Sequence, residues 1–527
     1  VETKNLGRAK SGTSKAYLPQ VAKGAMINLS GTVVRTLLAS GYTVLLARML
    51  PVSELGEYFL IVTVVNILGL ASTVGLDYGV VRYVALYAGE GKIRQARRAT
   101  RTALIIGVSI SLIVTVAVIA LAPSLVTRLL EGGSDSVTML RLFSLSIPFW
   151  VMARLFNATT QGLHRMRYQV YSRDLGEQLS KFGFTAIALI LGTGLLGAVV
   201  ANVASVVLAM LLAMVFTMKL FSPRIDRADP NTKEAGPARN LIRYSYPLAF
   251  SNILGMLLVW MDMLLMGYLG SATDVGYYGA ALRVAVVSST IFLAVSTVFM
   301  PVISDFYNRH FTNQLHSLYK TVTRWIFVCT LPLVLLQLFF ADPIMKIFGP
   351  QFSSGSGALM ILALSQLVNA VTGPAGYMVL MSGHSRIDFI NISVSLAVNI
   401  AICLMMIPTY GIIGAATANF IASVVLNLMR ALEVWFLMHS HAYDRNYIKP
   451  VVAGGLSALV TAQADRFMTD LSGPAHVLLQ GTLLSLVFLA GIGILGINEQ
   501  DREVMLLIKS RLFRFKEIRG GKDIGSV

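Results

Sequence analysis

The residues that can do chemistry in this sequence are ionisable and amide side chains set inside long apolar runs. Arg35, Arg154, Asp262 and Arg283 each stand deep within such a run. A charge held at bilayer depth costs roughly a few to more than ten kcal/mol, so ionisable groups there are the first functional candidates. Guanidinium groups outnumber carboxylates in this set. Asp262 and Arg283 fall at similar depth in consecutive runs and are the expected ion pair, which would leave Arg35 and Arg154 uncompensated. A desolvated cavity with surplus guanidinium suits an anionic ligand, and arginine is the planar, bidentate partner of phosphate. Each arginine has a structural alternative, snorkelling toward water or bracing neighbouring helices. A second polar set consists of amides: Asn66, Asn157, Gln366 and Asn369 are cavity candidates, accompanied by Gln161, Asn202, Asn399 and Asn419. Amides hydrogen-bond sugar hydroxyls without fixing a charge, and they also join membrane helices to one another. Asp77, Glu177, Lys181, Arg430 and Glu433 sit near the ends of their runs, within reach of water, and are read as structural.

The elements that must position these groups are membrane helices. The chain is 55% hydrophobic and only 13% charged, against about 25% charged in a soluble domain. Apolar stretches of about 20 residues recur between short charged loops. In lipid the backbone must satisfy its own hydrogen bonds, so each stretch is a helix. A lipid-facing barrel would alternate polar and apolar residues over shorter segments, and no such pattern occurs. The expected fold is all-α, with about fourteen transmembrane helices. They fall at 25–47, 57–78, 102–126, 140–161, 174–193, 195–218, 244–269, 277–303, 321–341, 356–381, 389–408, 411–437, 450–467 and 474–497.

The net charge of +17 is read as loop retention rather than nucleic-acid binding, because Lys and Arg hold loops in the cytoplasm. One side receives the N-terminal arm, the stretch from Arg82 to Arg101, His164 to Arg167, Lys219 to Arg243, and the C-terminal tail. The opposite loops hold only Arg48, Arg128, Arg141, Lys346 and Arg466. The alternation implies a multi-pass protein of the cell membrane with both termini cytoplasmic. Membrane lipids are its immediate partners, and the tail beyond Glu499 is either an amphipathic helix on the inner leaflet or a solvated extension. Cys329 and Cys403 both fall within runs, which suggests neither a disulfide framework nor a zinc site. No cleavable signal peptide is evident.

The sequence also repeats itself. Gly194-Leu-Leu-Gly-Ala-Val-Val-Ala-Asn202 returns as Gly411-Ile-Ile-Gly-Ala-Ala-Thr-Ala-Asn419, and Ala204-Ser-Val-Val-Leu208 as Ala422-Ser-Val-Val-Leu426. Leu55-Gly56-Glu57-Tyr58 parallels Val275-Gly276-Tyr277-Tyr278. The matches keep their order at an offset of about 220 residues. Each half holds an even number of spans, so the two enter the membrane from the same side and form parallel repeats. The expected organisation is a cytoplasmic arm (1–24), a first six-helix bundle (25–218) and a linker (219–243). A second six-helix bundle (244–438), two additional helices (450–497) and a basic tail (498–527) follow. Two packed bundles with a cavity near the midplane form a transporter architecture.

No enzyme motif accompanies this. The sequence has no Walker A loop, no zinc-spaced histidine cluster and no Gly-x-Ser-x-Gly elbow, so neither an enzymatic activity nor a cofactor is expected. The histidines fall in loops or near a membrane face, which argues against a buried imidazole relay.

Leu45-Leu-Ala-Arg-Met-Leu50, Gly56-Glu-Tyr-Phe-Leu60, Gly75-Leu-Asp-Tyr-Gly79 and Val81-Arg-Tyr-Val84 run in order near the start of the chain. Arg173-Asp-Leu175, Tyr246-Pro-Leu248, Pro301-Val-Ile-Ser304 and Ile407-Pro-Thr-Tyr-Gly-Ile-Ile-Gly-Ala-Ala416 follow. This ordered set resembles the oligosaccharide flippases, the polysaccharide-transporter branch of the MATE-like superfamily. The resemblance implies movement of a lipid-linked oligosaccharide, carried on a polyprenyl phosphate or pyrophosphate, from the inner to the outer leaflet for cell-surface glycan synthesis. By similarity to the related lipid II flippases, which use cations in their first and eighth spans, it favours Arg35 and Arg283. Two alternatives stand beside it. One is a cation-coupled multidrug exporter of the same superfamily. The other is a non-transporting subunit working with other polysaccharide-assembly proteins.

Overall fold

The computed structural model describes residues 30–129, 133–221, 237–466 and 474–495. The expected N-terminal arm, most of the linker and the basic tail with its amphipathic alternative lie outside the described residues.

The described chain is all-α, apart from short 3-10 turns. In the first part, α1 covers 30–49, followed by α2 (Val52–Thr73), α3 (Leu76–Gly89), α4 (Ile93–Leu129), α5 (Ser134–Ser144) and α6 (Ser146–Gly162). Helix α7 covers 167–190 and is wound as a π-helix over Val170–Glu177 before resuming as Gln178–Ile190. Helix α8 is Gly194–Leu220. The second part contains α9 (Pro237–Leu269), α10 (Ala272–Asn308), α11 (Thr312–Phe339), the short α12 (Ala341–Lys346), α13 (Ser356–Thr372), α14 (Ala375–Met381) and α15 (Ser385–Met438). Helices α16 (Ile448–Asp465) and α17 (Pro474–Leu495) complete it.

The apolar runs read from the sequence are mostly helical over their described residues, but the runs at 57–78, 140–161 and 356–381 are each broken by a turn, at Val74–Gly75, Leu145 and Gly373–Pro374. Ten helices among the described residues are long and apolar enough to cross a membrane. One of them, α15, has 54 residues and is bent at Gly411 (φ 51°, ψ −127°), where the second of the two expected spans it covers begins. The runs at 30–49, 167–190 and Ile448–Asp465 are helical but fall outside those ten. They are shorter or interrupted, and they carry Arg35, the π turn and Lys449 respectively. Ile113, Ile190 and Ile494 are 69%, 80% and 86% exposed, as lipid-facing side chains are.

Helices α3, α4, α6, α7 and α8 pack mainly with one another, as do α9, α10, α11, α13, α14 and α15. The two sets meet where α2 runs against α10 and where α9 lies on α2, α3 and α4. Helices α16 and α17 pair with each other and lean on α11. The α2–α10 crossing is backbone to backbone. A Cβ built on Gly56 would overlap the carbonyl oxygen of Ala272, and one built on Gly276 would overlap that of Val52. Small residues at such crossings let membrane helices approach closely, where van der Waals contact replaces the missing hydrophobic drive. The largest apolar core passes through this junction and includes Leu55, Tyr58, Phe59, Met263, Val275 and Tyr278.

Candidate functional site

A cavity of about 490 Å³ lies between the two helix sets, within the size range of small-molecule sites. Helix α1 contributes Arg35, Thr36 and Ser40, and α2 contributes Val62, Asn66 and Gly69. Phe143, Ser146 and Trp150 come from α5 and α6, Glu177, Gln178 and Lys181 from α7, and Asn202 from α8. Across from them stand Val259 and Trp260 of α9 and Leu282, Arg283 and Val286 of α10. Most of the wall is apolar, with a few convergent polar groups.

Arg283 is the clearest of these groups. Its guanidinium carbon sits 3.6 Å from the centroid of the Phe59 ring, and Nη1 donates to the carbonyl of Gly279 at 3.1 Å. Among the described residues it makes no salt bridge. Stacking therefore fixes its direction while leaving most of its donors unused. Arg35 lies 3.7 Å from Asp174, which is fully buried and closer to Arg173 at 3.0 Å. One carboxylate oxygen of Asp174 has no hydrogen-bond partner. Lys181 sits 4.5 Å from the Tyr42 ring centroid, and Glu177 is within electrostatic reach of Lys181, Arg173 and Arg35. The π turn of α7 covers Arg173, Asp174 and Glu177. Such a turn widens the helix and often marks functional positions.

The structure distributes the sequence candidates unevenly. Arg35, Arg283 and Asn66 line the cavity. Arg154 does not: its Nε and Nη2 both stand 2.8 Å from Oδ2 of Asp77. Asn157 accepts a hydrogen bond from Ser172 at 2.7 Å in a buried contact. Gln366 accepts from Asn369 at 3.4 Å, and Asn369 accepts from Asn427 at 2.7 Å, so these amides join α13 to α15. The expected Asp262–Arg283 pair does not form. Asp262 is fully buried and takes hydrogen bonds from Tyr278, from Asn419 at 2.8 Å and from the backbone N–H of Met263 at 2.8 Å. Similar depth in consecutive helices did not bring the two side chains onto facing sides. Glu177 and Lys181, read as water-facing from their position in the run, line the cavity instead. Helix α7 turns its interior face rather than its end toward the site. Trp150 and Trp260 carry no charge, and nothing in the sequence marks them as cavity residues.

The Asp262 cluster has a counterpart. Tyr58 Oη contacts Tyr42 Oη at 2.8 Å and accepts from Asn202 Nδ2 at 2.7 Å. Tyr58 and Tyr278 come from one pair of matched motifs, and Asn202 and Asn419 from another. The two trios thus use corresponding residues, with Tyr42 where the second carries Asp262. Among the described residues, no group of three or more His, Cys, Asp or Glu side chains stands close enough to hold a metal ion.

Comparison with known proteins places this geometry. The profile of the family described as "Polysaccharide biosynthesis protein" matches residues 21–307, and that of MatE matches residues 247–405. The chain is 27% identical to the probable low-salt glycan biosynthesis flippase Agl15 of Haloferax volcanii over 37% of this chain and 41% of that protein, less than half the relative's length. It is 22% identical to the putative O-antigen transporter of Shigella flexneri over 75% of this chain and 93% of that one. The solved inward closed structure of the lipid II flippase MurJ superposes with a TM-score of 0.71 at 16% identity, covering 89% of this chain and 98% of the other. That likeness establishes the fold.

Proposed function

The chain belongs to the polysaccharide biosynthesis protein family of the MATE-like transporters, and from that premise we propose that it flips a lipid-linked oligosaccharide across the cytoplasmic membrane. The single observation that carries this reading is Arg283. It is a stacked guanidinium in the cavity with no carboxylate partner among the described residues. Arg35 and Lys181 add positive charge across the cavity, and Glu177 together with Asp174, which Arg35 shares with Arg173, offsets only part of it. A phosphate or pyrophosphate head fits that surplus. The names of the glycan flippase and O-antigen transporter among its relatives agree with such a cargo.

In this reading the chain has about fourteen spans, arranged as two parallel six-helix repeats at 25–218 and 244–438, with two appended helices. The linker and both termini are cytoplasmic in this reading, which the excess of Lys and Arg on that side supports. The paired trios around Tyr58 and Tyr278 support the repeat, because duplicated motifs make duplicated contacts. The lipid-linked sugar enters between the halves. Arg35, Arg283 and Lys181 hold the phosphate, Asn66 and Asn202 hydrogen-bond the sugar, and the polyprenyl chain stays in the bilayer. Rocking of the halves about the α2–α10 crossing then exposes the cavity to the other side. The gain is replacement of hydration, since unpaired sugar hydroxyls in hydrocarbon would cost about 4–8 kcal/mol each.

A multidrug exporter of cationic substrates would line its cavity with carboxylates. Asp262 is not on the cavity wall, and Glu177 faces three cations, which disfavours that alternative. The test is a flipping assay in proteoliposomes with labelled lipid-linked sugar and no other protein. Activity that falls in both Arg35→Ala and Arg283→Ala is expected. Full activity in both variants would overturn the cationic-site reading, and inactive wild type in a folded state would favour a non-transporting role.

A further inference from the structure

The phosphate reading leaves an aromatic element of the cavity unused. Trp150 of α6 and Trp260 of α9 line it from opposite helix sets. Neither indole N–H has a hydrogen-bond partner among the described residues. Trp150 is held with care. Gly69 of α2 leaves room for its six-membered ring, since a Cβ there would stand 3.3 Å from Cε3 and 3.6 Å from Cζ3. Arg154, one turn further along the same helix, has its guanidinium carbon 5.3 Å from the ring centroid. Arg154 is in turn fixed by two 2.8 Å contacts to Asp77 of α3. The indole therefore sits against Gly69 of α2 and beside the Arg154 guanidinium, which Asp77 of α3 holds in place, while the residue one turn before Gly69, Asn66, opens onto the same cavity.

We propose that Trp150, positioned by the Arg154–Asp77 pair, is a stacking platform for the pyranose ring nearest the phosphate. The proposal rests on the flippase reading and deepens it, because it names the part of the substrate that this wall recognises. A pyranose presents an apolar C–H face and a rim of hydroxyls. An indole offers an apolar face with a polar edge, and amides such as Asn66 and Asn202 can take the rim. The platform contributes only when a sugar is present, whereas the cations respond to the phosphate alone. Arg154 acts here as a positioning residue: it touches the indole rather than the substrate.

The test uses the full chain in lipid nanodiscs and two probes, farnesyl diphosphate and farnesyl diphosphate bearing one N-acetylglucosamine. Wild type is expected to bind the sugar-bearing probe about tenfold more tightly. Trp150→Ala should bind the two probes alike, and Trp150→Phe should regain most of the difference. Arg154→Ala should also lose the difference. Because that change strands Asp77, the neutral double variant Asp77→Asn/Arg154→Gln repeats the measurement with the partner charge removed. A sugar-dependent difference that survives in the folded double variant would overturn the role of the pair. Equal binding of both probes by wild type, or an equal loss on both probes in Trp150→Ala, would overturn the platform while leaving the phosphate site standing. Wild type that binds neither probe would refute the flippase reading itself.

Discussion

Gly56 and Gly276 lie in one crossing and serve each other's helix: each faces a backbone carbonyl, that of Ala272 for Gly56 and that of Val52 for Gly276. They also stand at matching places in the two copies of one sequence motif. The closest approach of the two helix sets is thus built from the same residue type used twice. Substituting either glycine by alanine forces the backbones apart. Gly56→Ala or Gly276→Ala is expected to cost about 1–3 kcal/mol of stability, the usual penalty of overpacking. Thermal unfolding in detergent measures it, and an unchanged midpoint for both variants would show that the helices have room at the crossing for an added methyl group.

Arg283 is expected to resist conservative replacement. Arg283→Lys keeps the charge but loses the planar stack on Phe59 and the bidentate fork. Flipping should fall at least about tenfold, with Arg283→Ala lower still. Initial rates in proteoliposomes decide this, and wild-type rates in the lysine variant would mean that charge alone suffices.

Asp262 is expected to act through its hydrogen bonds. Asp262→Ala leaves the hydroxyl of Tyr278 and the amide of Asn419 buried without their acceptor, at a cost of about 1–3 kcal/mol for each unpaired group. A double-mutant cycle with Tyr278→Phe should give a coupling energy of about 0.5–3 kcal/mol. Additive effects would dissociate the two side chains.

Arg324 of α11 and Asp444, in the segment after α15, form a 2.7 Å ion pair with Arg324 only 4% exposed. Asp444→Ala removes one carboxylate partner of a buried guanidinium and is expected to destabilise by about 1–3 kcal/mol. The loss should appear as earlier unfolding together with protease cleavage near Tyr443 and Tyr447. Uncleaved protein with an unchanged unfolding midpoint would show that the pair does not anchor this segment.

Much of the architecture follows from the sequence alone. Apolar runs bounded by charged loops give helices because lipid allows the backbone no other partner than itself. The motif pairs at Gly56 and Gly276 and at Asn202 and Asn419 were visible as repeats, and the structure gives them matching contacts. The presence of arginines within the membrane helices is legible too, since a charge in an apolar run is conspicuous wherever it lies. Which of them meet a common space was not. Depth along a helix is written in the sequence, but the rotation of each helix about its axis is set by packing against several neighbours at once. That rotation gave Arg154 to Asp77, sealed Asp262 behind Tyr278 and Asn419, and left Arg283 stacked on Phe59 in the cavity. It also turned Glu177 and Lys181 inward from a helix whose π winding no hydrophobic pattern announced. The sequence by itself determined a helical membrane protein with repeated motifs and an excess of cations within its apolar runs. Only the tertiary structure decided which cations and which tryptophans share a cavity, because side-chain convergence depends on contacts between residues far apart in the chain.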